Sequence, residues 1–234
     1  MDKVDIDQNR ESKYSNNQCN FKNVFEIPLI LNQIFQFMEK DDIKILSLGA
    51  KKIYQLYCEQ VKKLEIKEDI EESNISKIKF DKYKDLIELD LEGCKNIKDY
   101  SFISKLEKLE NLNLYYTNIS DISFLEKNKN IKKLNLEKCG NIKDYSFISK
   151  LEKLENLNLS NTNISDISIL EKNKNIKELN LEECHNIEDY SFISKLEKLE
   201  NLNLSYSNIS DISFLAKNKN IKELNLQECH DIED

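Results

Sequence analysis

The chain has 234 residues, a formal net charge of −8 and 33% charged residues, and this length allows one or two domains. The acidic balance argues against nucleic acid or an anionic membrane as the main partner. No apolar run is long enough to span a bilayer, and the first residues carry no apolar signal region. We therefore expect an intracellular protein, in the cytoplasm or the nucleus.

The N-terminal part of the chain precedes all repeats. Residues 1–22 are polar, and we expect them to be disordered. Residues 23–60 contain Pro28, the only proline of the chain, which suits the first turn of a helix. Apolar residues then recur at helical spacing, and Asp41 and Asp42 suit the start of a second helix. The pattern predicts a three-helix unit that docks on the first repeat or on a partner, because it is too small to be stable alone.

Four short groups in this segment resemble the F-box: Ile27-Pro28, Ile34-Phe35, Asp42-Ile43 and Leu46-Ser47-Leu48. The resemblance implies binding to the Skp-type adaptor of an SCF cullin–RING ubiquitin ligase, with a target protein held by the repeats that come after it. By the same resemblance, the adaptor-binding residues are Pro28, Ile34, Phe35, Ile43 and Leu46. The alternative is that these apolar residues only form a cap that covers the first repeat.

Residues 61–234 are dominated by a 45-residue repeat. The stretch Asp99–Leu114 recurs letter for letter at Asp144–Leu159 and Asp189–Leu204. Each unit divides into halves of 23 and 22 residues, and both halves begin L-x-x-L-x-L-x-x followed by Cys, Thr or Ser. A fixed period of this kind is typical of a solenoid.

This pattern resembles the leucine-rich repeat (LRR). Leu89 and Leu91 alternate with polar residues, as in a strand with one buried face. Beyond the strand, apolar residues lie three apart, which suits 3₁₀ returns. The expected fold is therefore α/β: an LRR solenoid with a curved parallel β-sheet, preceded by the F-box-like unit. We predict about eight repeats, the first degenerate (Val61-x-x-Leu64-x-Ile66) and the last truncated, which leaves open whether that end self-associates.

Four cysteines, Cys94, Cys139, Cys184 and Cys229, recur at the 45-residue period. Equivalent positions two strands apart lie roughly 10 Å apart, too far for a disulfide or a shared metal. We therefore predict buried, reduced, structural thiols and no metal or cofactor. Thr117, Thr162 and Ser207 occupy the same place in the other half-repeat.

Polar residues beside the buried leucines are expected to form the concave face, where a basic or extended polar segment of a target protein would suit the charges. An ordinary solvated surface is the alternative. The candidate partner-binding residues lie next to these leucines or, for Tyr206, in the next column outward: Glu88, Asp90, Asn113, Tyr115, Asn135, Asn158, Asn180, Glu182, Asn203, Tyr206 and Asn225.

Catalysis is not expected. His185 follows Cys184 directly, but adjacent residues on a turn point apart, so a Cys-His nucleophile is disfavoured.

The leading hypothesis is a substrate-recognition subunit of an SCF-type ligase. An LRR scaffold similar to intracellular phosphatase regulators is the rival, and a secreted bacterial-type adhesin is disfavoured by the polar first residues. The Lys-, Asn- and Ile-rich composition resembles that of AT-rich protists and giant viruses, so the relevant cell is a host cell if the protein is viral.

Overall fold

The computed structural model describes residues 61–66, 68, 70–230 and 232, all of which belong to the repeat region. The predicted disordered segment 1–22, the F-box-like unit at 23–60 and its five adaptor-binding residues lie outside these ranges.

The described residues form one parallel sheet of eight strands that pair in chain order from β1 to β8. Each strand has three residues, and its central leucine aligns with the leucine of the next strand, as Leu64 does with Leu89 and Leu89 with Leu112. This confirms the LRR solenoid and the strand expected in the degenerate first repeat. The strands are β1 Lys63–Glu65, β2 Glu88–Asp90, β3 Asn111–Asn113, β4 Lys133–Asn135, β5 Asn156–Asn158, β6 Glu178–Asn180, β7 Asn201–Asn203 and β8 Glu223–Asn225.

The returns between the strands are short 3₁₀ segments, as the spacing of three predicts. The first return also holds the one α-helix of the described residues, α1, at Glu72–Ile75. The 3₁₀ segments span Phe80–Lys82, Ser101–Lys105, Ser123–Glu126, Ser146–Lys150, Ser168–Lys172, Ser191–Lys195 and Ser213–Lys217. Their apolar residues pack behind the sheet; Ile103, Ile148 and Ile193 are fully buried. Each half-repeat therefore covers the core of the next.

Three asparagines are buried inside the solenoid at the 45-residue period: Asn128, Asn173 and Asn218. The sequence marks Asn128 only as a polar residue where an apolar one is expected. In the structure, Asn128 Nδ2 donates to the carbonyl oxygens of Ile103 and Leu106, each at 3.0 Å. The side chain thus ties one return to the preceding one, although its Oδ1 atom has no hydrogen-bond partner in the described chain.

The repeat cysteines form a buried column with the threonines. Cys139 Sγ donates to the carbonyl oxygen of Leu114 at 3.0 Å and lies 3.5 Å from Thr117 Oγ1. Thr117 Oγ1 in turn donates to the same carbonyl oxygen at 3.0 Å. Cys94, Cys139 and Cys184 are each 0% exposed, and burial raises the pKa of the Cys139 and Cys184 thiols. The prediction of buried thiols is confirmed for these three cysteines, whereas the fourth, Cys229, is partly exposed.

Candidate protein-binding face

The exposed face of the sheet carries an open groove of about 570 Å³ that crosses β2 to β7. The polar residues that flank each strand leucine project into it, because alternate strand residues point to opposite faces, and the leucines of β2 to β6 also contribute to the lining. The groove brings together seven of the eleven residues predicted for the concave face: Glu88, Asp90, Asn113, Asn135, Asn158, Asn180 and Asn203. Asn225 continues the same column on β8 but lies outside the groove and is exposed.

The last strand residue is held by the same local contact in every repeat from β2 to β8. In β4, the Asn135 Oδ1 atom accepts a hydrogen bond from the backbone N–H of Glu137 at 3.0 Å. Asp90 accepts the equivalent bond from Glu92 N–H at 3.0 Å. These Asx-type turns end the strand and fix the side chain, so the amides are set in place rather than freely rotating.

A second set of contacts joins asparagines of the groove to the carboxylates at one edge of it, which are Glu92, Glu137 and Glu182. Asn158 Nδ2 donates to Glu137 Oε2 at 3.0 Å, and Asn203 Nδ2 donates to Glu182 Oε2 at 3.2 Å. Asn113 makes the corresponding contact with Asp90 Oδ1 at 2.9 Å, with Glu92 Oε2 3.4 Å away. The carboxylates at this edge are therefore held by the asparagine of the following strand.

The turn after each strand places one residue in the left-handed backbone region. The residues share φ values between 53° and 68°: Gly93, Tyr116, Lys138, Asn161, Glu183, Tyr206 and Glu228. Gly93 and Asn161 are the residue types among them that adopt this conformation readily, and the other five give no sequence signal for it. Tyr116 and Tyr206 project from it and are 48% and 41% exposed, so the predicted site residue Tyr206 lies on this turn.

Aromatic and basic side chains meet beside the first turns of the face. Lys95 Nζ lies 3.2 Å from the centroid of the Tyr116 ring, and its hydrogen bond and charge lower the pKa of Tyr116. Lys138 Nζ donates to the Tyr115 hydroxyl at 3.1 Å, and this contact raises the pKa of Lys138. The later turns place Ser160 and Ser205 where Tyr115 stands. Both serines are buried, whereas Tyr115 is partly exposed.

The Cys-His sequence does not form a reactive pair. Cys184 is buried, whereas the next residue, His185, is exposed. The Cys184 thiol donates to the carbonyl oxygen of Leu159 at 3.1 Å, and its raised pKa disfavours the thiolate that a nucleophile needs. Within the described ranges, no group of three or more His, Cys, Asp or Glu side chains is placed to hold a metal ion.

The fold and this face define a leucine-rich repeat protein-interaction domain. The family model described as BspA type Leucine rich repeat region matches residues 107–233 in six copies. The chain therefore belongs to the BspA-type leucine-rich repeat family. The match begins after the F-box-like segment and does not bear on it. No curated protein matches the chain at a significant level.

Several solved structures resemble the chain. An internalin (inlF) from Listeria monocytogenes is 32% identical with a TM-score of 0.63, and the match covers 73% of this chain and 48% of the internalin chain. Internalin C2 (inlC2) from the same species is 26% identical with a TM-score of 0.66, and the match covers 77% of this chain and 76% of the internalin C2 chain. An LRR protein from Leptospira interrogans, 22% identical with a TM-score of 0.50 and coverage of 65% and 49%, shares the fold.

The chain thus spans about half the length of the first of these structures. As for membranes, the helices in the part of the chain that the structure describes are too short or too polar to cross a bilayer.

Proposed function

We propose that this chain is a non-catalytic protein-binding module whose concave face contacts the partner directly. The observation that carries the proposal is the groove across β2–β7, where side chains from six strands present amide and carboxylate groups to solvent. Asx turns and cross-strand hydrogen bonds hold these groups in position. Because the groups are already ordered, a partner loses little of its binding energy in arranging them.

The sheet face also suits a protein better than a small molecule. The groove is open and shallow and extends across the repeats, whereas small-molecule sites are enclosed and mainly apolar. The strand leucines contribute to its lining between the polar residues, but the groove that they line is open to solvent. A partner segment that crosses several strands would make one or two hydrogen bonds with each repeat.

The test is capture of partners from the source cells by the full chain and by two variants. Asn135→Arg/Asn158→Arg places two bulky cations in the groove. The control, Ser120→Arg/Ser165→Arg, adds the same charge at two exposed returns. We expect the wild type and the control to retain a common partner and the groove variant to lose at least about tenfold, because its cations collide with any occupant. Equal capture by all three proteins would contradict the proposal.

The finer proposal is that the chain is the substrate-recognition subunit of an SCF-type ubiquitin ligase inside the cell. It is supported by sequence resemblance alone, through the spacing of Phe35, Asp42 and Leu46. The proposed partners are a Skp-type adaptor with its cullin–RING ligase, bound through residues 23–60, and a target protein on the repeats. The chain would add no chemistry and no cofactor; it would hold the target near the ligase, in a host cell if the protein is viral.

A purified Skp-type adaptor tests this finer role. The full chain should bind it, and Ile34→Asp/Phe35→Asp should abolish binding while leaving the repeat region folded, as judged by circular dichroism. If the folded wild type does not bind, residues 23–60 act as a cap and the protein is an LRR scaffold. That outcome would leave the proposal for the concave face intact.

A further inference from the structure

Three carboxylates at the edge of the groove recur at the 45-residue period: Glu92, Glu137 and Glu182. The next strand supplies an asparagine amide to each of them, at 3.4, 3.0 and 3.2 Å respectively. Only one oxygen of each carboxylate takes part in that contact, so the other can accept a bond from a ligand. In Glu137 this second oxygen, Oε1, lies 3.9 Å from Lys138 Nζ, an exposed and therefore weak ion pair that a ligand cation can replace. The edge therefore presents a row of positioned negative charges at regular intervals.

The interval between these charges follows from the sheet. Equivalent residues lie two strands apart, and parallel strands are about 4.8 Å apart, so successive carboxylates are separated by roughly 10 Å. A polyproline II helix rises about 3.1 Å per residue with three residues per turn, so side chains three apart share a face at about 9.3 Å. A β-strand covers a similar distance in three residues, but its side chains at i and i+3 point to opposite sides. Two turns of an α-helix rise about 10.8 Å, which exceeds two strand spacings by about 1.2 Å and so loses register over successive units.

Amide donors in the groove match the same conformation. The Nδ2 groups of Asn135 and Asn180 line the groove and make no hydrogen bond within the described residues, while their Oδ1 atoms are engaged by Glu137 N–H and Glu182 N–H. A polyproline II segment has no internal hydrogen bonds, so its backbone carbonyl oxygens are available as acceptors. These two amides also recur once per 45-residue unit, so they would meet equivalent carbonyls on successive turns.

Charge distinguishes the two sides of the groove. On the side opposite the carboxylate edge lie the first residues of the strands. In β2, β4 and β6 these are Glu88, Lys133 and Glu178, so the sign of the charge alternates along the period. The edge formed by Glu92, Glu137 and Glu182 instead carries a carboxylate in each of these three units, with Lys138 Nζ 3.9 Å from Glu137 Oε1. Cationic side chains of a ligand would therefore align along that edge, where opposite charges meet.

We infer that the concave face binds an extended segment in polyproline II conformation, with Lys or Arg at every third position, that runs across the strands. This inference rests on the proposed function and specifies its partner. Each turn of the segment occupies one 45-residue unit. One cation pairs with each edge carboxylate, and a backbone carbonyl of each turn accepts from Asn135 or Asn180.

The experiment measures binding of synthetic peptides to the full chain by fluorescence anisotropy at low salt, where partly exposed ion pairs are least screened. The first peptide contains four Pro-Pro-Lys triplets. The second has the same composition with its lysines contiguous, and a third has Glu in place of Lys. The protein variant is Glu92→Gln/Glu137→Gln/Glu182→Gln, which keeps the shape of each side chain. The matched control is Glu107→Gln/Glu152→Gln/Glu197→Gln, with the same charge change at the same period on exposed turns ahead of β3, β5 and β7.

We expect the spaced lysine peptide to bind about tenfold more tightly than the contiguous one. Each aligned ion pair contributes a factor of a few in affinity. The edge variant should remove this preference and the control should keep it. Equal binding of the two lysine peptides, or an unaltered preference in the edge variant, would overturn the inference. A lack of binding by every peptide would also overturn it, whereas the proposed function would still stand or fall on capture by the Asn135→Arg/Asn158→Arg variant and its control.

Discussion

The buried asparagines show how one side chain joins neighbouring repeats. Asn173 Nδ2 donates to the carbonyl oxygens of Ile148 and Leu151, at 3.1 and 2.7 Å, from a fully buried position. Asn128 and Asn218 make the same pair of bonds one unit away. Hydrogen bonds inside a core are costly to leave unmade, so these residues specify how successive returns stack.

Replacement of one such residue should be costly. We expect Asn173→Ala to lower the free energy of unfolding by about 2–4 kcal/mol, because it removes two buried hydrogen bonds and leaves a cavity. Urea unfolding monitored by circular dichroism measures the change. The neighbouring exposed substitution Lys174→Ala should alter it by less than about 0.5 kcal/mol. Similar small losses in both variants would show that the asparagine column does not stabilise the stack.

Buried thiols and phenols make the stability depend on alkaline pH. Burial raises the pKa of Cys139, Cys184 and Tyr100 in the folded chain. The unfolded chain therefore loses these protons first as the pH rises, from about 8.5 for cysteine. Their contribution is fully present below that pH and falls as the pH rises toward the folded pKa values.

The urea midpoint should consequently be lower at pH 10 than at pH 7. Cys139→Ala/Cys184→Ala should reduce this alkaline loss, although it lowers stability at pH 7 by removing thiol contacts. A midpoint that does not change between the two pH values would contradict the assignment of these groups as buried and protonated.

The turn that follows each strand contains a residue whose backbone conformation is unfavourable for most amino acids. Six residues other than glycine adopt a positive φ there, a conformation that costs roughly 1–2 kcal/mol for a residue with a Cβ atom. The hydrogen bonds of the ladder continue through the turn: Lys138 N–H, for example, donates to the carbonyl oxygen of Ser160 at 2.9 Å. The repeat stack thus imposes the conformation, since residues as different as Tyr116 and Glu183 adopt it.

Neighbouring glycine substitutions should have opposite effects on stability. Glu183→Gly, at φ 54°, should raise the free energy of unfolding by up to about 1 kcal/mol because glycine adopts this conformation without strain. Glu182→Gly, one residue earlier and not at a positive φ, should lower it by about 0.5–1 kcal/mol. Thermal unfolding of the two variants measures both changes. A loss of stability in both would mean that the Glu183 side chain, which accepts a bond from Asn161 Nδ2 at 2.7 Å, outweighs the strain.

Across the whole repeat region, stability should depend on position along the stack. Leu179 and Leu224 occupy the same place in β6 and β8, but they are 2% and 42% exposed. Leu179→Ala should cost about 2–5 kcal/mol, as for a buried leucine, and Leu224→Ala less than about 1 kcal/mol. Chemical denaturation of the two variants provides the comparison. Equal costs would contradict a stack in which each repeat is covered only by its neighbours.

The repeat period alone predicts most of this fold. The positions of Leu64, Leu89 and their equivalents determine the strands, their parallel order and their register, because every repeat buries the same residues against the next. The period cannot reveal conformations that arise only from stacking. Asn128 gives no sequence sign of its two carbonyl partners, and a tyrosine at position 116 gives none of its left-handed backbone.

The residues of the candidate face were predictable within the strands but not beyond them. Alternation along each strand correctly places Asn113, Asn135 and Asn158 on the groove. It fails two residues beyond the strand, where Ser160 is buried although Tyr115 at the equivalent position is partly exposed. The pairing of Asn158 with Glu137 was not predictable either, because it joins residues of different repeats whose side chains meet only after the sheet forms.

The most direct test of the central claim, that the concave face is the surface that binds the partner, is site-specific photo-crosslinking in the source cells. A photoreactive amino acid replaces Asn158 in the groove or, in a second protein, Lys172 on an exposed return. We predict a discrete covalent adduct with one partner from position 158 and none from position 172. Adducts from position 172 with none from position 158 would show that the partner binds elsewhere on the repeats.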